Sequence, residues 1–457
     1  MKDFQFHGVS NAISRAKARF PVGRVVGVTG SQVVLTGLDG HAALGDRVRL
    51  TKRCHGGVVT SVQGQEVCVL LDAPAEGVVT GDVAVLLPPP VFAPHDGWIG
   101  RVVDPDGKPL DGRPLGHGAT PVSLQSAPPP AGARRTLGPR IGTGLALFDT
   151  LLPLARGQRI GLFAGSGVGK STLLARLAQG VEADVIVIGL VGERGRELRE
   201  FIENVLGPDG MARCVIVAAT SDRPAHTRRR CAAAATAVAE HFRDAGWQVL
   251  LLIDSVTRFA EAHREVATAA GEMSNLRGYP SSTAASIASL CERAGPGVGE
   301  AGDITAVYSV LVAGSDMDEP IADILRGVLD GHVVLDRAIA ERGRFPAVDV
   351  VRSVSRSLPD VASPHENGLI ATARRHLGVY ARSELMIQSG LYVPGSDKVV
   401  DEAIACHDAL DHFCTEASPS GPKAAFRALQ RALSCGQADE VEGAPPPGFA
   451  AAKEEGA

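Results

Sequence analysis

Residues Lys2 to Phe20 place Phe6, Val9, Ile13, Ala16 and Phe20 at alternating steps of three and four. That spacing predicts one apolar helical stripe, with Arg15, Lys17 and Arg19 off it, and Pro21-Val22-Gly23 ends it. From Arg24 to about Leu87 the period changes. The runs "RVVGVTGSQVVLTGL", "GDRVRL", "GVVTSVQGQEVCVLLD" and "DVAVLL" are short, β-rich and separated by Gly and Asp. They predict a small all-β barrel or sandwich. "PPPVFAP" (Pro88 to Pro94) is a stiff linker, and a Pro-rich surface excursion is expected around Pro128-Pro129-Pro130. Beyond it, "RIGLFA", "VIVIGLV", "CVIVAAT", "VLLLID", "AVYSVLVA" and "HVVLD" alternate with helical patterns. Such alternation predicts an α/β core with a mostly parallel sheet covered by helices. From about Ser363 the pattern is helical without obvious strands, and "GAPPPGFAAAKEEGA" is expected to be a disordered tail. The expected division is a 1–23 amphipathic segment, a 24–93 β-domain, a 94–362 nucleotide-binding domain, a 363–436 helical domain and a 437–457 tail.

Composition narrows the classes. The 457 residues are 45% hydrophobic and 21% charged, ordinary for a soluble globular protein of two or three domains. A formal net charge of −5 gives no global basic field for nucleic acid. No apolar run reaches membrane-span length and no secretory signal is recognisable, so a cytoplasmic protein with at most peripheral membrane contact is expected. The eight cysteines contain no C-x-x-C pair and read as reduced core thiols.

The chemistry begins at "FAGSGVGKST", Phe163 to Thr172. A Walker A loop reads G-x-x-x-x-G-K-[ST], and Ala164 stands at its first glycine. The loop works by wrapping phosphate in backbone N–H groups at a helix N-terminus. Gly165, Gly167 and Gly169 are expected to supply the turn, with Ser166, Val168 and Thr172 completing the nucleotide-binding stretch. Lys170 carries the charge and Ser171 a magnesium-binding hydroxyl. A strand before and a helix after, with Leu173, Leu174, Leu177 and Ala178 inward, are the context the motif needs. Ala164 is tolerable if its backbone is extended. Asp254, closing "VLLLID", is the candidate Walker B carboxylate for Mg²⁺, against the alternative of a plain helix cap. Hydrolysis also needs a carboxylate to orient water. Glu193 in "GLVGERGRE" stands at a strand's C-terminal edge; taken alone, it is as readily an exposed acid at a helix start.

With these residues in place the chain resembles the hexameric ATPase family of rotary ATP synthase heads and type III protein-export ATPases. The resemblance runs through "GRVVDPDGKPLDG", "GQRIGLFAGSGVGKSTLL", "GLVGERGRE", "LLLIDSVTRFAEAHREV", "GEMSNLRGYPSS", "YSVLVAGSDMDEPIADILRGVLDGHVVLDR" and "RGRFPAVDVVRSVSRS". "AGSGVGKS" is typical of the export branch, flagellar or injectisome. The resemblance implies a RecA-like P-loop core, a small N-terminal β-barrel before it and a helical C-terminal domain after it. It implies Mg²⁺-dependent ATP hydrolysis in a homo-oligomeric, hexameric ring. By it Lys170 and Ser171 hold phosphate and Mg²⁺, Glu193 is the catalytic carboxylate, Arg194 and Asp254 support it, and Arg258 lies near the nucleotide. Phe345 stacks on adenine, and Arg356 is the finger reaching the neighbouring subunit's γ-phosphate. Expected partners are ATP, identical subunits, regulator and stalk proteins, export substrates and chaperones, with peripheral inner-membrane association. "GYPSSTAAS" departs from the family, with Ser281 and Ala284 where a proline and an aromatic are common.

Three alternatives share parts of this pattern. A synthase subunit would divide the site between two chain types, whereas Glu193 and Arg356 stand in one chain. An RNA-translocating helicase would stack bases on aromatics, and residues 24–87 contain no Phe, Tyr or Trp. A nonhydrolysing structural ring would not need Glu193.

Overall fold

Alternating burial closes the first six strands on themselves. The computed structural model describes residues 19–52, 55–275, 278–312 and 317–434. The apolar stripe as far as Ala16, the C-terminal tail, Cys54 and Cys435 lie outside the described residues. The strands β1 (Val22–Thr29), β2 (Gln32–Thr36), β3 (Arg47–Leu50), β4 (Gly56–Gln63), β5 (Glu66–Leu71) and β6 (Val83–Leu86) form a closed barrel in the order β1-β2-β5-β4-β3-β6. Period-2 alternation sends Val33 and Leu35, Val48 and Leu50, and Val67, Val69 and Leu71 inward. Each fully buried Val or Leu contributes roughly 1.5–3 kcal/mol. All pairs are antiparallel, and closure leaves no edge to be satisfied from outside. Of the barrel and sandwich alternatives, the chain forms the barrel.

The six apolar runs of the middle region are strands of one nine-stranded sheet. They are β8 (Arg159–Ala164), β9 (Val185–Val191), β10 (Cys214–Ala219), β11 (Val249–Asp254), β15 (Asp303–Leu311) and β16 (Gly331–Leu335). Two further strands extend the path, β7 (Arg101–Val103) beside β10 and β17 (Val348–Ser355) beside β16. The order is β17-β16-β8-β15-β11-β9-β10-β7, with the two-residue β14 (Gly295–Pro296) pairing β15. β12 (Ser274–Asn275) and β13 (Tyr279–Pro280) form a separate short ribbon. Only β16–β17 and β14–β15 are antiparallel within the large sheet. The central strands are apolar at nearly every position because both faces are covered. One face packs Leu173, Leu174 and Leu177 of helix Lys170–Gly180 together with the C-terminal helices. The other packs helices Ala225–Asp244, Val256–Ala269, Ser282–Glu292 and Pro320–Val328.

Among the described residues, the elements after Ser363 are helices: Pro364–Gln388, Lys398–Phe413 and Pro422–Ser434. Ser363 and Glu366 form a reciprocal capping box at the first, and Asp397 caps the second. Leu410, Phe413, Phe426 and Leu429 join the core beneath the phosphate-loop helix. The fold is therefore a β-barrel, a RecA-like mixed sheet and a helical C-terminal unit, as the pattern and the resemblance imply. The six cysteines within the described residues are free thiols, five of them buried.

Candidate active site

The odd letter of the phosphate loop belongs to a strand. Ala164 is the last residue of β8, 1% exposed, and pairs with Leu311 of β15 and Leu335 of β16. Its methyl is core packing, and the loop proper begins after it. Gly167 (φ 76°) and Gly169 (φ 85°) take left-handed backbone, which L side chains rarely adopt. Gly165 does not: its φ is ordinary, and a Cβ there would lie 3.7 Å from the nearest atom, the Val312 carbonyl oxygen. Two glycines, not three, supply the turn. Buried Val168 anchors the loop, while Ser166, Ser171 and Thr172 are exposed. Gly169 is the residue before helix Lys170–Gly180, whose Leu173, Leu174, Leu177 and Ala178 are buried. The unpaired N–H groups and the positive end of that helix face the loop.

Lys170 turns from the loop toward two carboxylates. Its ammonium donates to Asp254 Oδ1 and lies 3.9 Å from Glu193 Oε1. Asp254 ends β11, is 4% exposed, and accepts a 2.6 Å hydrogen bond from Ser309 Oγ on β15. The cap of helix Val256–Ala269 is Ser255, whose hydroxyl accepts from the Arg258 N–H, so capping does not occupy Asp254. Glu193 follows Gly192 (φ 74°), where the chain leaves β9. Bonds from Gly192 N to Ala219 O (2.7 Å) and from Ser221 N to Glu193 O (2.9 Å) fix that corner. Burial, followed by the nearby Asp254 carboxylate, pushes the Glu193 carboxyl up to about 7 against the opposing pull of Lys170. A carboxyl with that value sits in the range of a general base.

The remaining candidates divide. Arg194 is 81% exposed and pairs with Glu197 at 3.7 Å, not with Lys170 or Asp254. Arg258 pairs with Glu261 at 2.9 Å, and its stem leans on Gly192, where a Cβ would meet it at 3.4 Å. The Phe345 ring, half exposed, lies beside the loop: a Cβ on Gly169 would be 3.3 Å from its Cδ1. Arg356 lies elsewhere. The first residue of β17, Val348, pairs with Leu335, level with Ala164, whereas its last, Ser355, pairs with Gly331. Arg356 is therefore level with Asp330 and Arg159, five residues before Ala164 on β8, or about 16 Å along the strand. It stands at the end of the sheet opposite its own phosphate loop, with its guanidinium on the carbonyls of Leu329 (3.1 Å) and Arg326 (3.2 Å).

Sequence reading missed two neighbours of the cluster. Ser309 is the one serine inside the apolar run "AVYSVLVA", a small polar residue in a buried strand, which is the signal that could have found it. Glu197, in the same "GERGRE", hydrogen-bonds Glu193. The departing segment also has a local role: Ser281 Oγ, Ser282 N and Ser282 Oγ all donate to the Glu272 carboxylate at the start of helix Ser282–Glu292.

Residues 144–355 match the ATP synthase alpha/beta family, nucleotide-binding domain, and residues 362–429 match the T3SS EscN ATPase C-terminal domain. A flagellum-specific ATP synthase of Caulobacter vibrioides is 43% identical over 415 residues, covering 89% of this chain and 94% of that protein. The chain belongs to the flagellar and type III secretion export-ATPase family. A type 3 secretion system ATPase of Xanthomonas euvesicatoria is 46% identical over 318 residues, 70% of this chain and 72% of that protein. The assembled EscN of the enteropathogenic E. coli type III secretion system aligns at TM-score 0.84 and 35% identity, covering 90% of this chain and all of that one. EscN is also known in complex with its central stalk EscO. This export ATPase is thus a nucleotide-binding, ATP-hydrolysing enzyme. No helix among its described residues is long and apolar enough to cross a membrane.

Proposed function

We propose that identical copies of this chain form a hexameric ring that hydrolyses ATP at every interface and energises protein export through a flagellar-type apparatus. The observation that carries the reading is the split of the site within one chain. Glu193, Asp254 and Lys170 converge at the phosphate loop, and Arg356 stands at the other end of the sheet. A finger there serves a neighbour's nucleotide, and a head-to-tail ring of identical subunits supplies one at each interface. Lys170 binds the β- and γ-phosphates, the amides from Gly165 to Thr172 wrap them, and Phe345 packs on adenine. Glu193 takes up the proton of the attacking water, with Arg194 at the rim of the site.

Among the described residues no three His, Cys, Asp or Glu side chains form a metal cage. Mg²⁺ does not require one. One hydroxyl, one carboxylate, phosphate oxygens and water satisfy it, and exposed Ser171 with buried Asp254 offers that donor set. The ion supplies neutralisation of developing phosphate charge. Domain bounds of 24–93, 94–362 and 363–436 accompany this reading. Identity to flagellum-specific relatives reaches 49%, against 46% for the type 3 secretion relative, which supports flagellar use. Stalk, regulator, chaperone and substrate contacts, and peripheral association with the inner membrane, follow from the same assignment.

The test is mixing. Glu193→Gln keeps ATP binding and loses turnover by orders of magnitude, and Arg356→Ala is nearly inactive in assembled form. In mixed rings, interfaces that join an intact Glu193 to an intact Arg356 recover activity that neither variant has alone. Mixed rings with no recovery overturn the shared site. Loss of flagellar export on deletion of the gene tests the apparatus.

A further inference from the structure

Arg356 does not sit loosely at its end of the sheet. Its backbone N–H donates to the Asp330 carbonyl at 3.0 Å, and the same oxygen accepts from Gln158 Nε2 at 3.0 Å. Gln158 also donates to Ser355 Oγ at 3.0 Å, so the residue before the finger and the carbonyl that holds the finger's N–H are tied to one side chain. Its guanidinium rests on the Leu329 and Arg326 carbonyls at the C-terminal turn of helix Pro320–Val328. Carbonyls there lack helical partners and carry the negative end of the dipole, so they hold a cation well.

Asp330 fixes that whole ledge to β8. Its carboxylate accepts from Arg159 N (3.0 Å), Nε (3.1 Å) and Nη2 (3.2 Å), and its N–H donates to Arg159 O at 2.8 Å. Arg159 is held from its other side by Glu292 at 2.7 Å, which also pairs with Arg134. The planar fork of an arginine matched to a carboxylate gives orientation as well as attraction. Arg159 begins β8 and Ala164 ends it at the phosphate loop. One strand therefore carries the loop of one site at its C-terminal end and the mount of the finger at its N-terminal end.

We infer that Asp330, gripped by Arg159, is a positioning residue for the Arg356 finger. This rests on the shared-site reading above. Misplacement by about 1 Å can lower a rate on the order of 10²-fold.

The experiment uses full-length Asp330→Asn, which keeps size and acceptor oxygen but removes the charge that orders Arg159. Its assembled ring is expected to lose at least about tenfold in kcat with KM for ATP within about twofold, the pattern of an interaction made in the transition state. The decisive readout is complementation at equal mixing, where roughly a quarter of interfaces pair two intact halves. Asp330→Asn mixed with Glu193→Gln should rise well above the average of the two parents. Mixed with Arg356→Ala it should not, because both lesions lie on the finger side. A merely structural lesion would not sort by side in this way. Arg159→Lys, which keeps the charge and loses the fork, should sort as Asp330→Asn does and serves if that variant folds poorly. Wild-type kcat in both variants overturns the inference. So does rescue of Glu193→Gln by Arg356→Ala without rescue by either of them. Failure of the Glu193→Gln with Arg356→Ala pair overturns the shared site, and the positioning role falls with it.

Discussion

Glu193 is half-buried, a placement that its proposed role in catalysis calls for and its folding does not. Burial and the neighbouring Asp254 raise its carboxyl from 4.5 to about 7. Between those values the native state holds a proton that the unfolded chain has lost, so this residue's contribution to stability falls as pH rises through the window. Above pH 7 the charged form destabilises the nucleotide-free fold by an amount on the order of 1–3 kcal/mol. The expected outcome is that Glu193→Gln melts a few degrees above the wild type at pH 8, with the gap closing toward pH 5. Catalysis runs the other way: wild-type kcat/KM should fall as pH drops through about 7, as the base protonates. Scanning calorimetry without nucleotide and a steady-state pH series check both, and opposite slopes are the signature. At this scale the phosphate loop and the acid closing β11 could be picked out from motif spacing, whereas Glu193 was singled out only by the family resemblance. Ser309 and Glu197 went unread: a serine inside a buried strand is a weak signal, and Glu197 looks like any acid in the first turn of a helix.

Elements were legible where the period was clean. The six buried runs of the sheet and the alternating strands of the barrel read directly, because full or half burial writes its own pattern. The edge strand β17 reads less plainly: its burial runs inward at Val348, Val350, Ser353 and Ser355, broken by the register shift against β16. Neither does local sequence show how the barrel is pinned to the core. Asp72 on the barrel pairs with Arg47 at 2.6 Å and with buried His226 of helix Ala225–Asp244 at 3.1 Å. Burial would raise the Asp72 carboxyl, but hydrogen bonds from His226 and Arg47 outweigh it and hold the group at about 2, below its usual 3.8. A depressed carboxylate stabilises the fold above its unfolded value and loses that contribution as pH falls toward the folded one. Asp72→Asn should therefore lower Tm at pH 7 by a few degrees, about 1–2 kcal/mol, with the difference shrinking between pH 4 and pH 2. Hydrogen exchange should locate the loosening at the barrel–helix seam. Unchanged exchange there would show that the pin is dispensable.

For the whole molecule, sequence order conceals which residues share an end of the sheet. Phe345 and Arg356 are eleven positions apart in the sequence, yet the antiparallel run of β17 places one beside the phosphate loop and the other at the far end of β8. That separation has a kinetic consequence. A lone chain holds the loop, Lys170, Asp254 and Glu193, but its own Arg356 is about 16 Å along the strand from where the loop begins. An arginine finger is worth about 10³–10⁵ in rate, so monomers should bind ATP while turning it over at the level of Arg356→Ala. Specific activity should then rise faster than linearly with protein concentration through the assembly range and level off once rings dominate. Dilution of the wild type, with light scattering and turnover followed on the same samples, makes the comparison direct. Activity should track the population of assembled rings, and Arg356→Ala should assemble without gaining activity. Turnover per chain that stays flat while scattering reports monomer would mean that each chain completes its own site. Arg356 would then be a structural arginine on the Leu329 ledge.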